Sequence, residues 1–410
     1  MIGMKKTICC LEPVLAPYSI PRFKAMQLMR GDYSVHVMAL SAREQLREQL
    51  QEWGRQRADL GFDYVEAVPE KTVESLTSQE QTERVIQWLN GLDPAAVVIS
   101  GYFYAGMRAA ARWTRQHKRL SIYIGDSQWG DRRRNPLKEW VKGWWTRRHY
   151  DAAFAAGERT AAYLQMMGFP REKIWTGFDV VDNQVFSTGA AIARRDLAVL
   201  RARLQLPERF FLFVGRFSPE KNLTRLVEAY ASYRRTAGSN AWGLVLAGGG
   251  PQEPLLRQKV EGIPGVVFAG SHRSDQLALY YGLASCLILP SVSETWGLVV
   301  NEAMAAGLPV IVSHRCGCVP ELVRHGLNGY VVDPFDIDGM AQTMAVMSST
   351  LVNLESMGEM SRRLVALYTP ETWAKSLADC IDRTAANSRQ RVNAEVTNMS
   401  GSFQPEKQPS

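Results

Sequence analysis

The chain has no apolar run approaching the ~20 residues of a membrane-spanning helix, so no stretch of it reads as a span. Its opening, MIGMKKTICCLEPVLAPY, has a short basic lead, but Glu12 and Pro13 interrupt the apolar stretch behind it. A secretory signal would carry an unbroken apolar core, so these residues read as a first strand and the expectation is a cytoplasmic protein. Cysteine is sparse, with six in 410 residues. Cys316 and Cys318 form a C-x-C, yet no second Cys/His pair stands nearby in sequence to complete a zinc site. With Cys9, Cys10 and Cys286 in apolar strand-like runs, plain thiols in a reducing compartment are expected. His36, His117, His149, His272, His314 and His325 show no metal-ligand spacing. Acidic residues fall short of basic ones, 41 against 48, for a formal charge of +7. That balance suits anionic small molecules or an anionic membrane face. No nucleic-acid motif accompanies it, so nucleic acid is not an expected partner.

What is present is a long alternation of strand and helix patterns. In the first half the strand-like runs are residues 7–11, 34–40, 95–100, 120–125 and 151–156, with helix-like runs such as 78–90 and 158–167 between them. In the second half they are 210–214, 243–247, 266–269, 286–289, 309–312 and 329–332. Leu223, Leu226, Val227 and Tyr230 recur at helical spacing and give one buried face. Alternation of this kind predicts parallel sheets covered by helices. The expected fold class is α/β, with two Rossmann-like domains facing each other across a cleft.

Residues 286–321, CLILPSVSETWGLVVNEAMAAGLPVIVSHRCGCVPE, hold the strongest functional signal. An apolar strand breaks at Pro290 into a polar loop holding Glu294. A helix starts near Gly297, carries Glu302, and stops at Gly307 before Pro309. In parallel sheets, ligands lie beyond the carboxyl ends of the strands. Free amides at the start of a helix suit phosphate, and two carboxylates beside them can accept hydrogen bonds from sugar hydroxyls. The combination reads as a nucleotide-sugar pocket, although either Glu taken singly reads as a solvated, dipole-favoured residue. Upstream, strand 210–214 runs into Gly215, Arg216, Phe217, Ser218, Pro219, Glu220 and Lys221. Arg216 and Lys221 are either a diphosphate clamp, fork and point charge together, or two solvated cations at a strand end. Gly248, Gly249, Gly250 and Pro251 follow the next strand. Such glycines let backbone approach a ligand, but the third Gly of a dinucleotide fingerprint is missing.

The pattern Glu294, seven residues, Glu302, with WGL and EAMAAGLPV between, resembles the retaining glycosyltransferases of family 4, which have the two-domain GT-B fold. The likeness continues in Gly215, Arg216 and Lys221, in the glycine run where the family has G-x-G-P, and in Gly317, Pro320 and Glu321, with Cys318 in place of a commoner second Gly. It implies that Arg216 and Lys221 hold the donor diphosphate with Gly215, Gly249 and Gly250 close by. It implies that Glu294 binds the donor sugar, that amides around Thr295, Trp296, Gly297 and Leu298 contact sugar and diphosphate, and that Glu302 takes the ribose. Trp296 stands where many members carry Phe. The implied chemistry is retaining transfer from a UDP- or GDP-linked sugar to a carbohydrate or lipid-linked hydroxyl. The acceptor attacks on the leaving-group face, with neither a covalent intermediate, a metal nor a further cofactor. Surface polysaccharide or glycolipid assembly is the implied setting. The alternatives are a sugar-nucleotide epimerase of similar fold, which would need bases in the cleft, and a non-catalytic nucleotide-sugar binder.

The first domain departs from the family. EPVLAPYSIPRF stands where many members have a Gly-Gly loop, and Ile124-Gly125-Asp126-Ser127 where many carry a His. Asp126 is either a base that polarises the acceptor hydroxyl, or a cap or partner for Arg132 to Arg134. Residues 173–205 read as the crossover, with Asp179, Asp182 and Asn183 near the places of the family's Asn-Gly-Val-Asp. The expected domains are 1–185 for the acceptor and 186–365 for the nucleotide sugar. A helix over 366–385 returns to the first domain, and 386–410 is a disordered tail. Asp336-Ile337-Asp338 spells a metal-binding D-x-D but precedes a helix, so it reads as a cap. Residues 131–150, DRRRNPLKEWVKGWWTRRHY, have seven basic and two acidic residues interleaved with Trp140, Trp144 and Trp145. They read either as a docking helix at the inner face of an anionic membrane, or as a packed helix with Trp in the core and Arg outside. The packing demand on such a domain favours the second.

Overall fold

The computed structural model describes residues 5–42 and 60–401. Its first sheet holds β1 (Lys6–Val14), β2 (Tyr33–Ser41), β3 (Asp63–Glu66), β4 (Ala96–Ser100), β5 (Leu120–Gly125), β6 (Ala152–Ala155) and β7 (Ile174–Thr176). They are parallel throughout, in the order β3-β2-β1-β4-β5-β6-β7. The second holds β8 (Phe210–Val214), β9 (Gly243–Ala247), β10 (Val266–Gly270), β11 (Cys286–Leu289), β12 (Val310–Ser313) and β13 (Gly329–Val332). It is also parallel, ordered β10-β9-β8-β11-β12-β13. The central strands read FFLFV, GLVLA, CLIL and VIVS and are buried along their whole length, as helices on both faces require. Strands β3 and β7 are the two edges of the first sheet. Their short, half-exposed runs carry little apolar signal, and the sequence reading places no strand there.

Each sheet reverses its strand order once, between β1 and β4 and between β8 and β11. At such a switch point the loops after the two neighbouring strands diverge to opposite faces and leave a crevice. In the second sheet those two loops are Gly215–Lys221 and Ser291–Gly297.

The crossover is shorter than the 173–205 expected. Ile174–Thr176 is strand β7, and Asp182 caps the helix Asn183–Arg195, its side chain accepting from the amides of Gln184 and Val185. That helix belongs to the second domain. Its Gly189 lies so close to the helix Ser274–Leu283 that a Cβ would come within 2.4 Å of the Ala278 Cβ. The second domain therefore begins near residue 183, inside the 1–185 assigned to the first.

The last helix, Pro370–Gly401, returns to the first domain as expected. Trp373, Leu377 and Ile381, four residues apart, are buried with Phe23 and Met26 in one core against the first sheet. Burial of each such side chain is worth about 1.5–3 kcal/mol. Asp382 pins the contact, paired with Arg30 at 2.9 Å and accepting from the Tyr33 hydroxyl at 2.8 Å. The helix runs on to Gly401, which corrects the disordered tail expected from Ala386. Residues 386–400 have few large apolar groups but also lack Gly and Pro, so nothing stops backbone hydrogen bonding once the docked turns have nucleated it. Residues 402–410 of that expectation lie outside the described residues.

The helix Pro136–His149 also corrects the sequence reading. Trp140 and Trp144 face outward and only Trp145 packs inward, beside Tyr102 and Tyr150. Arg134, expected outside, is buried, as is Lys142, and the two are held by Asp131, Glu139 and Tyr163. All six cysteines are free and buried. No helix among the described residues is long and apolar enough to cross a membrane.

Candidate active site at the switch point of the second sheet

Strands β8 and β11 pair in parallel, Phe211 opposite Cys286 and Leu212 opposite Leu287, so both leave the sheet on the same side. The loop after β8 turns at Gly215 (φ 145°) and ends at Asn222, whose backbone is left-handed (φ 64°). Asn tolerates this conformation better than most residues. The buried Asn222 amide donates to the Pro290 carbonyl at 3.1 Å and the Pro334 carbonyl at 2.7 Å. The Val292 amide donates to the Glu220 carbonyl at 2.8 Å. These bonds fasten the two loops together and bring Lys221 and Glu294 into a direct ion pair. The Ser291 hydroxyl also donates to Glu294. Arg216 stands on the same loop as Lys221, and its Nε is buried without a hydrogen-bond partner. A buried, unpartnered guanidinium nitrogen on the loop that supplies a Lys–Glu pair is a polar group that a bound anion could satisfy.

The glycine run after β9 packs against the loop that follows β8. A Cβ on Gly248 (φ 138°) would lie 1.9 Å from the Gly215 carbonyl oxygen, and one on Gly250 (φ 150°) 2.8 Å from the Phe217 backbone. Both glycines let this loop nest against Gly215–Phe217, sealed by the Phe217 amide donating to Gly249 at 2.8 Å. Gly249 alone has ordinary space around its Cα. Gly317 plays a similar part, since a Cβ there would meet the Thr295 carbonyl at 1.8 Å. Cys318, beside it, is buried and its amide donates to Trp296 at 3.1 Å.

Gly297 (φ 108°) precedes the helix Leu298–Ala305, where the Val300 amide donates to the Gly297 carbonyl at 2.8 Å and the amides of Leu298 and Val299 lead the helix. The Trp296 ring is buried and donates to Asn301 at 2.9 Å, so this residue offers the site only its backbone. Glu302 sits one turn into the helix, apart from the Lys221–Glu294 pair. It accepts from the buried Tyr281 hydroxyl at 2.7 Å. Burial pushes its carboxyl up to about 7, with the Tyr281 bond opposing.

The first domain closes over this loop. Gln128 donates to the Glu294 carbonyl at 2.7 Å, and Ser293 donates to the Asp131 carbonyl at 2.5 Å. Thr295 donates to the Asp126 carboxylate at 2.8 Å. Arg132 and Arg134 turn to Asp131 and leave Asp126 to Thr295. Burial raises the Asp126 carboxyl above its usual 3.8, Asp131 and Glu294 add to the rise, and the Thr295 bond opposes it. Deeper in the cleft, Asp179 pairs with Arg22 at 3.4 Å and is pushed by burial to about 7. Glu12, at the carboxyl end of β1 and bonded to Ser100 of β4, is likewise raised by burial to about 7. Sequence reading missed Glu12, Arg22, Gln128 and Asn222. The available signal for Glu12 was its place just after a first strand, and for Asn222 a turn-prone residue directly after Lys221. Asp336 accepts from the Gly339 amide and caps the helix Ile337–Ser348, as read. Among the described residues no group of three or more His, Cys, Asp or Glu is placed to hold a metal ion.

Residues 208–349 match the family model of glycosyl transferases group 1. A GDP-mannose-dependent alpha-(1-6)-phosphatidylinositol monomannoside mannosyltransferase of Mycobacterium tuberculosis is 34% identical over 194 residues, 44% of this chain and 50% of the relative. An N-acetyl-alpha-D-glucosaminyl L-malate synthase of Bacillus anthracis is 27% identical over 201 residues, 48% of this chain and 50% of the relative. The matched stretch spans about half the length of these curated relatives. Among solved structures, Anabaena HepE in complex with UDP superposes with a TM-score of 0.70 at 15% identity, covering 93% of this chain and 100% of that one. Sucrose-phosphate synthase from Thermosynechococcus elongatus gives 0.72 at 19% identity, with 93% and 100% covered. The two-sheet architecture is thus the GT-B fold. Over residues 208–349 the chain is thus similar to the group 1 glycosyl transferases, on a GT-B fold.

Proposed function

We propose that the chain transfers a sugar from a UDP- or GDP-linked donor to an acceptor hydroxyl, with retention of configuration and without a resident metal. The observation that carries this reading is the Lys221–Glu294 pair at the β8/β11 switch point, with the unpartnered Arg216 Nε on the same loop. A nucleoside diphosphate placed there draws Lys221 away from Glu294 onto phosphate and meets the free face of Arg216. Glu294 is then released to accept from the donor sugar, and Glu302 from the ribose. The Leu298 and Val299 amides at the start of the helix Leu298–Ala305 face the diphosphate.

In the transfer step the anomeric C–O bond to the phosphate breaks with its electron pair leaving on the phosphate. The acceptor oxygen forms the new C–O bond and gives up its proton. Fixed cations stabilise charge developing on the leaving group without reorganising. Asp126, raised by burial, is a stronger base than a solvated carboxylate and sits on the first-domain side of the cleft, where an acceptor enters. The relatives named above support the donor class, one acting from GDP-mannose and one solved structure holding UDP. A carbohydrate or lipid-linked acceptor, as in surface polysaccharide or glycolipid assembly, fits the same reading.

The test is incubation with UDP- and GDP-sugars, first with water and then with candidate acceptors, following nucleotide release and the anomeric configuration of the product. Release with a retained linkage supports transfer. Inversion at a sugar carbon without release would make the chain an epimerase, and binding with neither would make it a non-catalytic binder.

A further inference from the structure

The helix Pro136–His149 turns Lys142, Gly143 and Thr146 inward and leaves a row of large apolar side chains outside. Leu137, Trp140, Val141 and Trp144 are 69, 65, 50 and 51% exposed. Their spacing, one, four, five and eight along the helix, makes a single stripe. Two tryptophans in water on one stripe are the reverse of what core packing selects. Arg132, Arg133, Lys138, Arg147 and Arg148 are exposed around it. The two acids of the segment do not balance them. Asp131 and Glu139 are taken up by the buried Arg134 at 2.6 and 3.1 Å, and Lys142 lies 3.8 Å from Glu139. The outward charge of the face is therefore almost wholly positive. Arg112 and Arg115 of the adjoining helix Ala105–Gln116 extend it. After burial, which acts first, these two and Arg148 hold His149 below its usual value.

We propose that this face docks on an anionic lipid bilayer. Trp side chains settle at the boundary of headgroup and acyl chain, and Arg and Lys around them are drawn to anionic headgroups. A second copy of the chain fits poorly, because a two-fold contact of this face with itself would set its cations against their own copies. The place of the face in the fold matters too. Arg134 donates to the Gln128 carbonyl at 2.6 Å and the Trp129 carbonyl at 3.2 Å, which ties the helix to the loop whose Gln128 touches Glu294. On the transfer reading, a lipid-borne acceptor reaches the cleft from the plane on which this helix lies. The docking itself does not depend on that reading.

The experiment is co-sedimentation of the full chain with vesicles of phosphatidylcholine alone and of phosphatidylcholine mixed with phosphatidylglycerol, with no donor sugar present. Partitioning at least ~10-fold greater onto the anionic vesicles, and released by salt, is expected. Trp140→Ala/Trp144→Ala and Arg132→Ala/Arg133→Ala/Lys138→Ala should each lose about 10-fold or more of it. Thermal melting should be unchanged, because all five side chains are exposed. Equal recovery on both vesicles, none on either, or wild-type partitioning of both variants overturns the proposal. So does a dimer abolished by the tryptophan variant, or preferential capture by an oligonucleotide. Nucleoside diphosphate binding, measured separately without vesicles, is unaffected by any of these outcomes.

Discussion

Replacing Glu302 with glutamine should make the protein more stable at alkaline pH and change little at acid pH. On folding, the Glu302 carboxyl rises from 4.5 to about 7, because burial outweighs the Tyr281 hydrogen bond. Between those values the native state keeps a proton that the unfolded chain has released. The resulting stability is fully present below about pH 4.5 and is lost as pH climbs toward 7, after which nothing more is lost. The rise is worth about 3 kcal/mol at 1.36 kcal/mol per pH unit, and partial exposure reduces it to about 2 kcal/mol. The substituted side-chain amide does not ionise in this range and still offers an oxygen to Tyr281. Urea unfolding at about pH 5 and about pH 8 should therefore show Glu302→Gln gaining about 2 kcal/mol on the wild type between the two, or about 4–8 °C in melting temperature. Subtracting wild type from variant removes Glu12 and Asp179, which are raised in the same range. An equal stability difference at both pH values would show that Glu302 ionises like a solvated carboxylate, and the argument for its desolvated place in the site would fail.

Three further outcomes are expected. Asn222→Ala leaves the carbonyls of Pro290 and Pro334 without their buried donor and keeps a left-handed backbone, so urea unfolding should register a loss of about 3 kcal/mol. Gly248→Ala should cost about 3 kcal/mol or more, since its Cβ would overlap the Gly215 carbonyl, whereas Gly249→Ala should stay within about 1 kcal/mol in the same melts. Asp126→Asn should slow transfer about 100-fold while leaving nucleoside diphosphate binding unchanged; equal turnover would remove it as the base.

Much of this was legible before any coordinates. Buried parallel strands announce themselves as unbroken apolar runs, so every strand of the second sheet lies within a residue or so of its sequence-read range. Edge strands such as β3 and β7 bury one face or less and carry no such run. Arg216, Lys221 and Glu294 were readable because they flank strands with turn glycines at fixed distances, and the topology sets their two loops side by side, with Lys221 and Glu294 paired. Glu302 was readable as a helix residue, but its retreat to Tyr281 was not, since Tyr281 lies on another helix. The glycines of 248–250 read as places of close backbone approach, and Gly248 and Gly250 make that approach to the neighbouring loop. Sequence shows that a backbone must come close there without showing to what. The Asp126–Thr295 bond joins residues 169 apart in the chain, and no local pattern encodes it.

The central claim is that the crevice between β8 and β11 grips a nucleoside diphosphate. Its most direct test is a melting curve taken with UDP, GDP and the other nucleoside diphosphates on wild type, Lys221→Ala and Arg216→Ala. Saturation at about 100 times Kd adds about 2.7 kcal/mol to the native state, so one base should raise the wild-type melting temperature by several degrees. Each variant should lose about 10- to 100-fold in affinity, as a charge-assisted phosphate contact commands. No shift with any nucleotide, or the same shift in all three proteins, would contradict the account.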